Sequence, residues 1–498
     1  MQVIDCLRTG ALRGACLEQP PAFVPRSISA DWPTGSYRWI PPLMLALLLT
    51  ACAHYPANAP LTEYDRDNGY RLENLQDVDN SGSLLVVLTF SGGGTRAAAM
   101  AYGVLEKLAQ ADIVWEGRST SLLTEVDIIS AVSGGSYTAA YYALYRDRLF
   151  SDFEGDFLKR NVQGEITRAI LAPKNLIRTL NPRFGRINVV AEYLDQALFQ
   201  GATYGDLMHK GRPFVLINAS DMSLGARFEF SQDQFDLLCA DLSPFLLAHA
   251  VAASSAVPIV LSPLTLRNHA GRCGFQEPDW VESALSDRPA SARRYFKARE
   301  LRSYLNAVER PFIHLLDGGL SDNTGVRALL DRVLLQDDPG RLAQALGASA
   351  LRKVVLIMVS AETQPDLSID RVESVPTAMQ VIRNVKDIPI NAHSFETVEL
   401  FKTHFEHWPR RQVHETSGGD AVDFYLIEVT LEAIADEDER RHFMGIPTSF
   451  YLPAEQVDEL REMAGRLLQN APDYRRLMGD LDATTDELHL KRQPPAMH

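Results

Sequence analysis

Three short segments of the chain carry the residue types that serine-based acyl-transfer chemistry requires. Ser133 lies within Ala131–Gly135, Asp317 begins an Asp-Gly-Gly step, and a glycine-rich run occupies Ser91–Arg96. A serine hydroxyl becomes a nucleophile when a neighbouring base takes its proton, and glycine N–H groups can bind the oxyanion that then forms. Together the segments predict a nucleophile, a carboxylate base and an oxyanion-binding loop.

Ser133 is predicted to lie on the sharp turn between a buried strand and a helix. The continuous apolar run Val126–Val132 is typical of such a strand, and Ser136–Leu149 has helical spacing. The local pattern is G-x-S-x-G with Ala131 in place of the first glycine and Gly135 as the last. Small residues suit this elbow because its backbone segments approach closely.

Other residues are alternatives for the same roles. The elbow serine is as well suited to cap the helix N-terminus, and Ser130 and Ser136 are rival nucleophiles. Asp-Gly steps are also common in structural turns. His314 is the competing base, but its position inside the predicted strand Phe312–Leu316 favours a packed core histidine.

The glycine-rich run follows the predicted strand Leu84–Phe90 and opens a helix predicted over Thr95–Gln110. It does not match a P-loop, because no Gly-Lys-Ser/Thr follows, and a G-x-G-x-x-G pattern would need glycine at Ala97. Three roles are open for Arg96: support of the loop, contact with a lipid phosphate, or a solvated first-turn arginine. The oxyanion donors are predicted to be Gly92, Gly93 and Gly94.

These segments, with Ala252–Pro258 as a fourth block, resemble patatin-like phospholipases, which share a Ser-Asp dyad with cytosolic phospholipase A2. The resemblance covers roughly residues 82–330. It implies that Ser133 is the nucleophile and Asp317 the base. The supporting glycines that it implies are Gly93 and Gly94 of the oxyanion loop, Gly135 of the elbow, and Gly318 and Gly319 of the Asp-Gly-Gly motif.

The alternation of strands and helices predicts an α/β fold, and the resemblance implies three α/β/α layers with a mostly parallel central sheet. Further strands are predicted at Pro213–Ala219, Arg227–Ser231, Lys353–Ser360 and Phe424–Leu431, and terminal helices at Leu452–Leu468 and Asp473–Leu481. The implied activity is hydrolysis of a fatty-acyl ester, most simply of a glycerophospholipid, without a metal or cofactor. The alternatives are an acyltransferase, a neutral lipase, or a catalytically silent lipoprotein that binds lipid or a protein partner.

The N-terminus is predicted to be a targeting segment. An apolar run, Trp39–Leu49, follows Arg38 and is too short to cross a bilayer. Residues 49–52, Leu-Thr-Ala-Cys, resemble the bacterial lipobox, which implies that Cys52 is acylated. An ordinary secretion signal is the alternative. Residues 1–37 are long for a signal peptide, and we expect that the start site is assigned too far upstream.

The resulting division is a signal over 1–51, a tether over 52–80, a catalytic domain over 81–365 and a C-terminal extension over 366–498. The polar segments 274–302 and 385–420 are interpreted as insertions or lids. The former is rich in arginine, and a solvated helix face is favoured over a head-group contact.

Charge and cysteine usage limit the environment of the protein. A formal net charge of −15 disfavours nucleic-acid binding. In the Gram-negative lipoprotein pathway that the lipobox resembles, Ala53 after Cys52, rather than aspartate, implies the outer membrane, facing the periplasm. In that oxidising compartment Cys239 and Cys273 could form a disulfide, a pairing that spacing alone leaves open.

Overall fold

The protein is built around a mixed, mostly parallel β-sheet. A computed structural model describes residues 58–75, 80–289, 291–335, 351–363, 367–377, 380–381, 384, 390, 393–403 and 422–481. The strands are β1 (Ala59–Pro60), β2 (Leu84–Phe90), β3 (Asp112–Trp115), β4 (Arg118–Ser121), β5 (Val126–Val132), β6 (Phe214–Asp221), β7 (Arg227–Glu229), β8 (Ala240–Asp241), β9 (Leu264–Arg267), β10 (Phe312–Asp317), β11 (Lys353–Ser360) and β12 (Asp423–Thr430). The central sheet has the order β12-β11-β2-β5-β6-β10-β9, with β7 beside β6.

Strand direction divides this sheet into two parts. β12, β11, β2, β5 and β6 run parallel, whereas β10 runs antiparallel to both β6 and β9. β2 and β5 are buried along their whole length, as expected for apolar strands covered on both faces. The α/β class with a mostly parallel sheet is therefore confirmed.

Helices surround the sheet. They are α1 (Thr95–Ala109), α2 (Gly134–Tyr145), α3 (Arg148–Phe153), α4 (Val162–Leu171), α5 (Pro173–Arg178), α6 (Arg186–Leu194), α7 (Tyr204–Met208), α8 (Gln232–Asp236), α9 (Leu247–Ser254), α10 (Asp279–Ser286), α11 (Ala292–Tyr304), α12 (Arg327–Leu335), α13 (393–403), α14 (Glu437–Met444), α15 (Ala454–Asn470) and α16 (472–481). π-helical turns extend α3 over Glu154–Leu158 and α6 over Asp195–Phe199. In the described part of the chain, no helix combines the length and apolar character that a bilayer-spanning segment needs.

The C-terminal residues are integrated with the sheet and with the helix that follows the glycine loop. β12 pairs with β11 over eight residue pairs, and α15 packs against α1. The two helices approach closely at Gly103, where a Cβ would lie 2.9 Å from the carbonyl carbon of Arg461. Arg461 also binds Glu106 and Glu154, which joins α15 to two other elements.

Most predicted elements are present with small shifts at their ends. The main difference is that the helix predicted over 136–149 is two helices, because the helical backbone is interrupted at Arg146, which has a φ of 54°. The segment 274–302 forms the helix pair α10 and α11, which share a small apolar cluster of their own. Residues 1–51, Cys52, residues 53–57 and 76–79 of the predicted tether, and most of 385–420 lie outside the described residues.

Cys239 and Cys273 form a disulfide with a Cα–Cα distance of 5.4 Å and a sequence separation of 34 residues. The bond joins the segment after α8 to the loop after β9. Closing a loop of this length restricts the unfolded chain, so we expect Cys239→Ala/Cys273→Ala to lower the free energy of unfolding by about 3 kcal/mol. Urea denaturation with and without reductant measures this. Equal stability of the wild type under both conditions would contradict it.

Candidate active site

Ser133 occupies a strained turn at the junction of β5 and α2. Its backbone angles are φ 46° and ψ −117°, a conformation that non-glycine residues rarely adopt. The next residue has to be small, because a Cβ on Gly134 would lie 2.6 Å from Gly94 N and closer still to Gly94 O. A Cβ on Gly135 would lie 2.6 Å from the Phe90 side chain. The elbow and the glycine loop are therefore in direct backbone contact.

The hydroxyl of Ser133 is directed at Asp317 and not at the helix N-terminus that it precedes. Ser133 Oγ donates to Asp317 Oδ2 at 3.0 Å, and no side-chain capping bond is made from Ser133. The other carboxylate oxygen, Asp317 Oδ1, accepts from Gly319 N at 2.9 Å. One oxygen is thus anchored by the Asp-Gly-Gly turn, and the other faces the serine. This is the geometry of a nucleophile and its base.

The fourth sequence block holds both members of this pair. Ser254 Oγ accepts from Ser133 N at 2.8 Å and donates to Asn218 O at 2.6 Å. Ala256 O accepts from Asp317 N at 3.0 Å. The sequence of Ala252–Pro258 indicates no role for Ser254, because the block contains only small and apolar residues and a proline. The block fixes the backbones of the nucleophile and the base relative to each other.

Two glycine N–H groups of the loop remain available at the site. Gly93 and Gly94 have φ values of 139° and 62°, and in the described part of the chain neither N–H has a hydrogen-bond partner. Gly92 was predicted as a third donor, and this is wrong: its N–H donates to Asn323 O at 2.9 Å. Gly92 therefore shapes the loop, and the oxyanion donors reduce to Gly93 and Gly94.

Asn323 is a further residue that sequence reasoning missed. Its side chain lies against Gly92 and Gly319, and its amide nitrogen donates to Glu362 Oε1 at 2.7 Å. Burial raises the pKa of Glu362, and hydrogen bonds from Ser394 and Asn323 act in the opposite direction. The Asp-Gly-Gly-x-x-Asp-Asn run gave a weak signal for Asn323, but its partner Glu362 follows a different strand. Asn323 ties the oxyanion loop to the turn that carries the base.

Arg96 supports the loop from behind. It is buried, and its guanidinium donates to Ala361 O at 2.9 Å, to Thr448 Oγ1 at 3.1 Å and to Ile446 O. Burial lowers its pKa to about 10, with Glu362 acting in the opposite direction. The alternatives of a head-group contact and of a solvated arginine are therefore wrong, because the side chain is enclosed by acceptors of the protein itself.

Replacement of Arg96 should destabilise the protein. Arg96→Ala would leave two backbone carbonyls and a hydroxyl without their donor, and we expect a loss of about 3 kcal/mol in the free energy of unfolding. The control is Arg441→Ala, since Arg441 is 67% exposed and its ion pairs lie at the surface, where they contribute little to stability. Chemical denaturation of both variants tests this. Similar stabilities would show that Arg96 does not brace the loop.

The rival residues are engaged elsewhere. Ser130 Oγ donates to Gly325 O at 2.7 Å, and Ser136 Oγ donates to Ser133 O at 2.6 Å. His314 was expected to pack in the core, and this is wrong: it is exposed and contacts Thr265 Oγ1 at 2.9 Å. The strand alternation places His314 on the face opposite Asp317, and that face of β10 is uncovered. Among the described residues, no cluster of three or more His, Cys, Asp or Glu side chains could hold a metal ion.

Comparison with known proteins agrees with this geometry. Residues 88–330 match the family model described as patatin-like phospholipase. The matched range contains the glycine loop, the elbow, the fourth block and the Asp-Gly-Gly turn. This range therefore forms a patatin-like phospholipase domain with a patatin-like fold.

Solved structures with detectable similarity include human GIVD cytosolic phospholipase A2, with a TM-score of 0.41 and 12% sequence identity over 82% of this chain. The same human protein in complex with methyl gamma-linolenyl fluorophosphonate and terbium chloride gives a TM-score of 0.39 and 14% identity over 83% of this chain. The alignments cover 62% and 61% of the human chain. No curated protein matches this chain significantly.

Proposed function

We propose that the protein is a membrane-anchored serine hydrolase that cleaves fatty-acyl esters of phospholipids with a Ser133–Asp317 dyad. The observation that carries this proposal is the 3.0 Å hydrogen bond from Ser133 Oγ to Asp317 Oδ2, beside the N–H groups of Gly93 and Gly94. The patatin-like phospholipase domain supplies the class of substrate.

The first half-reaction forms an acyl-enzyme. Ser133 Oγ attacks the ester carbonyl carbon while its proton passes to Asp317 Oδ2. The carbonyl oxygen becomes an oxyanion and accepts hydrogen bonds from Gly93 N and Gly94 N, each of which can lower the barrier by about 3 kcal/mol. As the tetrahedral intermediate collapses, Asp317 returns the proton to the departing alkoxide, and the fatty acyl group stays on Ser133.

The second half-reaction uses the same groups on water. Asp317 takes a proton from a water molecule, which attacks the acyl carbon and forms a second oxyanion in the glycine loop. Collapse of this intermediate returns the proton to Ser133 Oγ and releases the fatty acid. The turn at Gly319 keeps the carboxylate in place through both steps, because its N–H holds the oxygen that does not transfer protons.

For the location of the protein, we propose lipid attachment at Cys52 and an outer-membrane position that faces the periplasm. The lipobox-like residues 49–52 support the attachment. The Cys239–Cys273 disulfide is in keeping with an oxidising compartment, since such bonds are rare in reducing ones. Incorporation of labelled palmitate into the wild type but not into Cys52→Ser would support this proposal, and equal labelling would refute it.

The test of the activity is release of fatty acid from phospholipid and from a short-chain ester by the wild type and by Ser133→Ala. We expect the variant to lose at least about a hundredfold in rate on both substrates. Ser130→Ala is the control, because Ser130 is a rival serine on the same strand. Transfer of the acyl group to added glycerol instead of water would identify an acyltransferase. An inactive wild type would favour the silent lipoprotein, whereas a Ser133→Ala variant that keeps its rate would show that another residue is the nucleophile.

A further inference from the structure

One surface segment of the protein differs from the rest in both charge and exposure. Residues 162–186, called the basic apolar segment here, contain five basic residues and one acidic residue, a net charge of +4 in a chain of −15. The segment comprises α4, α5 and the loop that leads to α6. Four of its large apolar side chains are strongly exposed, between 46% and 82%; they are Leu171, Leu176, Ile177 and Leu180.

Most of the positive charge faces solvent. The one acidic residue, Glu165, is bound by Arg160, and Arg178 is bound by Glu192. The remaining cations are exposed; they are Arg168, Lys174, Arg183 and Arg186. Exposed apolar side chains interspersed with exposed cations are the combination that binds the interface of an anionic bilayer.

The two ends of the basic apolar segment are hydrogen-bonded to segments that flank the two sides of the active site. At the first end, Gln163 N donates to Phe450 O at 3.2 Å, and the Gln163 side chain accepts from Ser449 Oγ at 2.8 Å. Ser449 O in turn accepts from Thr95 N at 2.8 Å, directly after the glycine loop. The segment is therefore joined to the oxyanion side of the site through one residue.

At the other end, Arg186 Nη2 donates to Ile259 O at 2.9 Å, and Ile187 N donates to Ser262 Oγ at 3.1 Å. Ile259 and Val260 follow the block that holds Ser133 and Asp317, and they are themselves 55% and 62% exposed. This end of the segment is thus hydrogen-bonded to a loop that exposes apolar side chains and follows Ala256, the residue that holds the base.

We propose that the basic apolar segment docks the protein on an anionic phospholipid surface, with the active site turned toward that surface. The docking itself is independent of the catalytic proposal, and the orientation of the site rests on it. Leu176, Ile177 and Leu180 enter the acyl boundary, while Lys174 and Arg183 bind lipid phosphates. Each cation near such a surface contributes on the order of a few-fold in partitioning, so several together give substantial binding.

Charge argues for lipid over a second copy of the chain. A two-fold dimer through this surface would place two patches of +4 against each other, which repel. The other arginine-rich element, α11, does not offer the same surface. Of its five cations, Arg302 is paired with Glu277 and Glu282, and Lys297 with Glu300. It also exposes one large apolar side chain strongly, Phe296, against four in the basic apolar segment.

The test compares two matched double variants of the full chain, each in a Cys52→Ser/Ser133→Ala background that prevents acylation and the proposed hydrolysis. Lys174→Glu/Ile177→Gln alters the segment. Arg293→Glu/Phe296→Gln alters α11, where Phe296 is 53% exposed against 56% for Ile177. Binding to vesicles of phosphatidylglycerol and phosphatidylcholine is measured by flotation, beside pure phosphatidylcholine vesicles. Thermal unfolding confirms that both variants fold.

We expect the segment variant to lose about tenfold or more in binding to the anionic vesicles, and the α11 variant to bind like the background protein. With Ser133 present, the segment variant should hydrolyse anionic vesicles more slowly and still hydrolyse a soluble short-chain ester at the wild-type rate. If binding follows this pattern but the wild type hydrolyses neither substrate, the docking surface stands and the catalytic proposal is rejected.

Three results would overturn the docking proposal. The first is equal binding by both variants and the background. The second is equal binding to anionic and neutral vesicles. The third is that the protein sediments as a dimer, and that Lys174→Glu/Ile177→Gln converts it to a monomer without changing vesicle binding. The basic apolar segment would then be covered by a second copy of the chain.

Discussion

Asp317→Asn is expected to reduce ester hydrolysis by between about a hundredfold and ten-thousandfold, the range for loss of a general base. Asparagine has almost the same shape, and its oxygen can still accept the hydrogen bond from Gly319 N. In the wild type, Ser133 Oγ lies 3.0 Å from Asp317 Oδ2. The amide of the asparagine cannot take the proton of Ser133 Oγ. The loss should therefore fall on kcat, with little change in KM.

The control for this variant is Asp458→Asn, which removes a carboxylate that is 45% exposed and paired with Lys159. It should keep wild-type activity. Both proteins should unfold at temperatures close to that of the wild type. If Asp317→Asn retained a rate within about threefold of the wild type, a loss too small for a general base, another group would have to take the proton.

Gly134→Ala is expected to lower activity by about a hundredfold or more without removing any reactive group. The new methyl group would meet the backbone of Gly94, so the elbow and the glycine loop would have to move apart by on the order of 1 Å. Ser133 Oγ and the N–H groups of Gly93 and Gly94 would then no longer meet at one carbonyl. A displacement of this size is enough for such a loss because the chemistry depends on their separation.

Gly155→Ala is the matched control, since a Cβ there has no other atom within 4 Å. It should leave activity unchanged and alter stability by less than about 1 kcal/mol. The two variants are compared by initial rates on a short-chain ester and by thermal unfolding. Wild-type activity of a folded Gly134→Ala would mean that the loop does not act together with the elbow.

The parts of the structure that local patterns determine were predictable. The strands over 84–90, 126–132 and 353–360 have the predicted bounds, because continuous apolar runs between glycine, serine and polar residues indicate buried strands. The elbow at Ser133 followed from a strand, small residues and a helix in succession. The pairing of this serine with Asp317 came from the family resemblance, since periodicity does not determine which strand ends lie together.

The parts that depend on distant segments were not predictable. Arg96 is buried because Ala361 and residues 446–448 supply its acceptors, and these lie more than 250 positions away. The N–H of Gly92 is taken by Asn323 O, which no glycine pattern reveals. His314 is exposed because the helices leave one face of β10 uncovered, a property of the packing and not of the strand. These errors concerned the partners or the burial of single residues, whereas the main error of local structure was the one helix predicted over 136–149, which is two helices.

The most direct test of the dyad is labelling of the protein with a fluorophosphonate, followed by mass spectrometry of the modified peptide. The account predicts one adduct, on Ser133, that is absent from Ser133→Ala and at least about a hundredfold slower to form in Asp317→Asn. An adduct on Ser130 or Ser136, or labelling of Ser133 at the wild-type rate in Asp317→Asn, would contradict it.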